Sequence, residues 1–67
     1  FSLEKATSVN IEILDIQGRL VRQLRDREFF NIGAHSIYFQ TAQLNPGTYL
    51  VRINGKDFSL SQKFVKQ

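Results

Sequence analysis

The 67-residue chain has no cysteine and a single histidine, His35. The first absence excludes disulfide cross-links, and the second leaves too few ligands for the structural metal that staples many small domains. Lack of cysteine does not fix a compartment, because exported and cytosolic domains can both do without it. No apolar run approaches the ~20 residues that a membrane helix needs, and no segment has the pattern of a secretory signal peptide. Charge of one sign is never concentrated. Nine Lys and Arg against six Asp and Glu give a net charge of +3, but Asp26, Glu28 and Asp57 interrupt the basic residues. No block reaches the roughly five or six like charges of an interaction tail.

Catalytic equipment is equally sparse. No acidic residue lies within a few positions of His35, so neither a base–nucleophile pair nor a metal set gathers around it in the sequence. It is expected on the surface at a strand start. The carboxylates Glu4, Glu12, Asp15, Asp26, Glu28 and Asp57 fall on turns, loops and strand surfaces, unlike the facing pair of a glycosidase. A domain this small rarely has room for a cleft. The expectation is a non-enzyme with no cofactor and no metal.

What the chain does have is apolar content: 42% of residues, including six Phe and two Tyr. So short a chain buries only about 60% of its unfolded surface, so each well-buried Phe, contributing roughly 1.5–3 kcal/mol, matters. Val9, Ile11 and Ile13 alternate with Asn10 and Glu12, which is the period of a strand with one buried face. Leu14 and Ile16 take the opposite parity, so the strand is expected to bulge or turn there. Asp15-Ile16-Gln17-Gly18-Arg19 then suits a type I turn followed by a left-handed glycine. Leu20 to Arg25 reads as the return strand. Its Arg22 and Arg25 also fit a helix, but no helix cap precedes them.

Phe29 to Gly33 is expected to be an ordered loop with an aromatic plug. Ile37 and Phe39, alternating with Ser36, Tyr38 and Gln40, read as another strand. Tyr49, Val51 and Ile53 mark the next, and Asn54-Gly55 is a strong hairpin signal because both residues tolerate positive φ. Phe58, Leu60 and Phe64 share one parity on the last strand. Val65 breaks it, which predicts a bulge or two-sided burial near Ser61–Lys63. Six or seven short strands, spaced about 8–12 residues from start to start, predict an all-β fold: a small antiparallel β-sandwich of immunoglobulin or fibronectin type. The whole of 1–67 is one domain. It opens on Phe1-Ser2-Leu3, already strand-like, and is expected to be a segment of a longer polypeptide.

Three features invite a functional reading. Arg19, Arg22, Arg25 and Arg27 form the one basic cluster. Without exposed aromatics for base stacking they read as a solvated edge strand that discourages aggregation, not as a nucleic-acid site. Leu44-Asn45-Pro46-Gly47-Thr48-Tyr49 reads as a turn that delivers a tyrosine into the core, its hydroxyl bonded back to upstream backbone. This is the tyrosine corner of sandwich domains. The tail Gln62-Lys63-Phe64-Val65-Lys66-Gln67 reads either as a last strand with solvated lysines or as an accessible address.

The succession Asp15-x-x-Gly18-Arg19, then Gly47-x-Tyr49, then the Lys-rich strand Lys63 to Gln67 resembles the C-terminal sorting domain of type IX (Por) secretion cargo of the Bacteroidetes. The resemblance runs over nearly the whole chain. It implies a non-catalytic β-sandwich attached to a cargo protein, recognised by the type IX translocon and normally removed by an outer-membrane sortase. It implies passage through the periplasm to the cell surface or medium, with no nucleic-acid partner and no membrane insertion. Asp15, Gly18, Arg19, Leu44, Gly47 and Tyr49 fall on its structural motifs, and Lys63, Val65, Lys66 and Gln67 on its recognition signal. The family also has a further strand ahead of the position of Phe1. Its absence makes a dimer by strand exchange plausible. The alternative is a structural or carbohydrate-binding accessory module, for which Phe29, Phe30 and Tyr38 are the candidate platform.

Overall fold

Alternation along residues 9–13 places Val9, Ile11 and Ile13 on one face, and these are the three most completely buried side chains of the protein, at 0–1% exposure. The strand they define, β2 (Thr7–Asp15), is interior to its sheet and so buries that face along its length. A computed structural model describes residues 1–67, which form six strands and no helix. Besides β2 these are β1 (Ser2–Leu3), β3 (Leu20–Phe30), β4 (Gly33–Ala34), β5 (Gly47–Asn54) and β6 (Ser59–Lys66). A four-stranded antiparallel sheet has the order β3-β2-β5-β6, and a two-stranded sheet pairs β1 with β4. The two pack together as a small β-sandwich with fewer strands than the seven of an immunoglobulin constant-type domain.

The core lies between the layers in two adjoining clusters. Leu3, Val9, Ile11 and Phe30 form one, and Ile13, Leu44 and Tyr49 the other, with Leu24 packed against both. Only eight of 67 residues are buried, so these few contacts must support the fold.

The Asp15 hairpin forms as its residues predict. The Gly18 amide donates to the Asp15 carbonyl at 3.0 Å, the Asp15 amide to the Arg19 carbonyl at 2.9 Å, and Gly18 has φ +87°. A side chain there would strain the turn. The Leu20–Arg25 segment is strand, not helix, and it runs on through Phe29 and Phe30 instead of giving way to a loop. The reason is its long partner: Thr7 and Ser8 of β2 pair with Phe30 and Phe29. Of the two aromatics only Phe30 plugs the core, and Phe29 is exposed.

Three further expectations are corrected. Ile37 and Phe39 do pack inward with Tyr38 pointing out, but residues 35–40 are not a strand. The amides of Ser36 to Gln40 meet no backbone partner; the nearest ladder stops where the His35 amide donates to the Phe1 carbonyl. An apolar groove lined by Ile11, Leu24, Ile37, Phe39, Val51 and Ile53 opens beside this segment. At the β5–β6 hairpin neither Asn54 nor Gly55 has positive φ, and residues 55–58 form a longer loop closed by a 2.9 Å bond from the Gly55 amide to the Phe58 carbonyl. Finally β6 has no bulge. Its register on β5 is unbroken from Gly47↔Lys66 to Asn54↔Ser59, and Val65 simply points to the outer face.

Gly55 is required by space and not by dihedral angle. A Cβ built there would run into the ring of Phe58. Gly55→Ala is therefore expected to destabilise the domain by about 1–3 kcal/mol through overpacking, read as a lower midpoint in urea unfolding, whereas an unchanged midpoint would show that the ring yields freely.

Candidate functional site

The motifs that stand apart in the sequence meet at one end of the four-stranded sheet. Asp15 lies opposite Tyr49 on β5, Tyr49 lies opposite Phe64 on β6, and Gly47 lies opposite Lys66. The Asp15–Arg19 turn, the Leu44–Tyr49 corner and the Lys63–Gln67 segment thus occupy neighbouring positions on three adjacent strands.

Tyr49 is the joint between them. Its hydroxyl donates to the Asn45 carbonyl at 2.6 Å, which is the back-bonded corner its sequence predicts. Its ring stacks on Phe64 at 5.5 Å between centroids and 22° between planes. Phe39 meets Phe64 edge-on, at 5.8 Å. Leu44 and Ile13 complete the pocket around Tyr49. The last strand is therefore held to the body of the domain through Phe64, a residue that the sequence motifs did not single out. Its parity with Phe58 and Leu60 was the available signal.

Strand alternation then divides the residues of the last strand between the two faces. Phe64 and Lys66 face inward, and Lys66 is half-buried beside the bare backbone of Gly47. Lys63 and Val65 point to the outer face and are exposed. Neither lysine takes part in an ion pair. Gln67 follows the strand and is exposed.

Asp15 organises the turn beside them. One carboxylate oxygen accepts from the amides of Gln17 and Arg19 at 2.9 Å, and the other accepts from Arg19 Nε at 2.9 Å. These bonds, led by the Arg19 amide and aided by the Arg19 guanidinium, hold the Asp15 carboxyl below its ordinary pKa against the opposing effect of partial desolvation. Arg19 thus serves the turn.

The other arginines are engaged in similar ways on edge strand β3. Arg22 Nη1 donates to the Gln40 carbonyl at 2.6 Å, Arg25 pairs with Glu28 at 3.6 Å, and Arg27 reaches Asp26 at 4.0 Å. This accords with the reading of a solvated edge. His35 is not a bare surface residue: its ring sits 5.4 Å from Phe1 and 5.0 Å from Phe30, and Nε2 lies 2.7 Å from the Asn31 carbonyl. Its neighbours make it a packing residue between the layers. No three His, Asp or Glu side chains come close enough together to hold a metal ion. Phe29, Phe30 and Tyr38 do not form a platform. Phe30 is buried, Phe29 lies on the four-stranded sheet, and Tyr38 projects from the other layer.

The separate motifs thus converge on one anchored, basic strand of a small β-sandwich. The chain belongs to the family of secretion system C-terminal sorting domains, which it matches over residues 1–67. This is the sorting signal of type IX secretion, a cargo-attached tag that acts with the type IX machinery and whose cargo is exported to the cell surface or beyond it. No curated protein and no solved structure gives a significant match.

Two expectations follow from the geometry. Tyr49→Phe removes one hydrogen bond and keeps the stack, so it is expected to cost about 1 kcal/mol in urea unfolding; a loss below a few tenths would remove the corner's role. Because the Asp15 pKa is lowered on folding, its contribution is present above the unfolded value and fades as pH falls through the folded one. Asp15→Asn is expected to flatten stability against pH in the acid range, below about pH 4, and to leave the slope above pH 6 unchanged. An acid limb identical to the parent's would contradict this.

Proposed function

We propose that this domain is a non-catalytic export signal read at the free edge of β6. The observation that carries the proposal is a difference between the two edges of the large sheet. On β3 the register with β2 shifts between Val9 and Ile11, between Ile11 and Glu12, and between Ile13 and Leu14. At the first shift Asn10 alone stands opposite Asp26 and Arg27; Arg27 adopts φ +49°, and its amide donates to the Asn10 side chain at 2.7 Å. Bulges and arginines together make an edge poorly suited to accept another strand. The β6 edge is eight residues long, regular and unbulged. A regular free edge is what β-augmentation requires.

In this reading Lys63, Val65, Lys66 and Gln67 are the recognition residues. Asp15, Gly18, Arg19, Leu44, Gly47 and Tyr49 build the platform that presents them. The partner is the type IX translocon, encountered from the periplasm, and a surface sortase removes the domain after passage. A strand ahead of Phe1, continuing the register Ser2↔Ala34, would lie along Ser36–Gln40, whose amides have no backbone partner. Where that place is empty, a second copy can fill it by strand exchange.

A periplasmic reporter fused to residues 1–67 in a type IX-competent bacterium is expected at the surface or in the medium, and in the periplasm when Lys63–Gln67 is deleted or a translocon gene is disrupted. Surface display of the truncated fusion would overturn the proposal.

A further inference from the structure

The outer face of the four-stranded sheet carries an apolar cluster separate from the core. Leu14 is only 5% exposed, yet it belongs to neither core cluster. In register it stands opposite Leu20 on one side and Leu50 on the other, and Leu50 stands opposite Lys63. Val65 lies on the same face of β6, two positions from Lys63 and opposite Thr48. Leu20 is 55% exposed and Val65 64%. Leu14 is thus the floor of a shallow shelf, with Leu20 and Val65 as its open rims. The row from Leu20 to Lys63 crosses all four strands, about 14 Å at the ~4.8 Å spacing of a sheet.

The shelf is bounded. Towards the other end the same face carries the Glu12–Arg52 ion pair, at 2.9 Å, then Asn10, Asn54 and Ser59. Arg52 is therefore already neutralised, and Lys63 is the free cation at the shelf's margin. An exposed apolar patch with a polar border marks a contact surface.

We propose that the β6 margin of this shelf, Val65 and Lys63, is the side-chain-reading half of the β6 site, and that its occupant is an extended segment of the export machinery bearing an aliphatic residue and a carboxylate two positions apart. The inference rests on β6 being the receptor edge. A strand paired outside β6 prolongs the sheet, so its side chains on this face continue the row that ends at Lys63. Two residues of that strand, also two apart, then fall beside Val65 and Lys63. The first is matched by an apolar group and the second by a carboxylate. The four aliphatic side chains Leu14, Leu20, Leu50 and Val65 are far from the roughly 20–30 residues a side of a stable interface. A second copy docked face to face lacks the area to persist. A receptor strand gains the backbone ladder of β6 in addition.

The test compares single substitutions in the cargo–domain fusion, each checked for unchanged thermal unfolding. Lys63→Glu and Val65→Thr are each expected to lower surface display about tenfold, since a like charge or a lost apolar contact in an interface costs about that factor. Lys63→Arg is expected to stay within about twofold of the parent, and so is Gln62→Glu, whose side chain faces the other way on β6. Threonine at position 65 keeps the shape and strand propensity of valine, so its effect is not one of folding. If Lys63–Gln67 deletion blocks display while Lys63→Glu and Val65→Thr are displayed like the parent, the shelf is not read and this inference falls. If the deletion itself is displayed, the β6 reading falls first.

Discussion

The arrangement depends on one side chain used twice. Tyr49 closes the corner with its hydroxyl and holds the last strand with its ring. Each interaction is modest, a hydrogen bond of about 1 kcal/mol and an aromatic pair of about 0.5–1.5 kcal/mol beyond burial. They count for more in a chain with eight buried residues than in a larger domain. Because β6 is the outermost strand, it has backbone support on one side only. Phe64, packed against Tyr49 and Phe39, supplies the second attachment and fixes which residues face outward. The last segment is therefore a shaped strand and not a free tail, with Lys63 and Val65 on one face and Lys66 on the other.

The two edges of the sheet follow opposite rules. β3 carries three register shifts, a left-handed Arg27 and a line of arginines. These features cost backbone regularity and gain protection against unwanted pairing. β6 keeps its full ladder. Under the proposed β6 reading, one edge is blunted against unwanted pairing and the other is left available to the partner. The positive charge is modest, and it lies largely in arginines tied to nearby acids or carbonyls, which leaves Lys63 and Lys66 as free cations beside the available edge.

Much of this was legible in the residues. The Val9–Ile13 alternation, the Asp15–Arg19 turn and the tyrosine corner all rest on short-range rules, and each appears as read. The errors arise where a distant partner decides. Phe29 and Phe30 belong to β3 because Ser8 and Thr7 extend the ladder to meet them. Residues 36–40 have the alternation of a strand and the inward packing of one, but no backbone hydrogen-bond partner. Asn54-Gly55 reads as a positive-φ hairpin turn, but neither residue has positive φ and the connection is the loop 55–58, closed by the bond from the Gly55 amide to the Phe58 carbonyl. The even parity of Phe64 was visible, but its partner Tyr49 could not be read without the register. Leu14 was seen to be out of phase, and its meaning, a second apolar surface, needed Leu20 and Leu50 to be placed beside it.

The central claim is that recognition occurs along β6. Amide hydrogen exchange on the domain, alone and with the outer-membrane receptor component of the type IX machinery, tests it most directly. The account predicts slower exchange for the outward-pointing amides of Ser59–Lys66 on binding, with the amides of Leu20–Phe30 unchanged. Protection confined to Leu20–Phe30 or to Ser36–Gln40, with β6 unaltered, would contradict it.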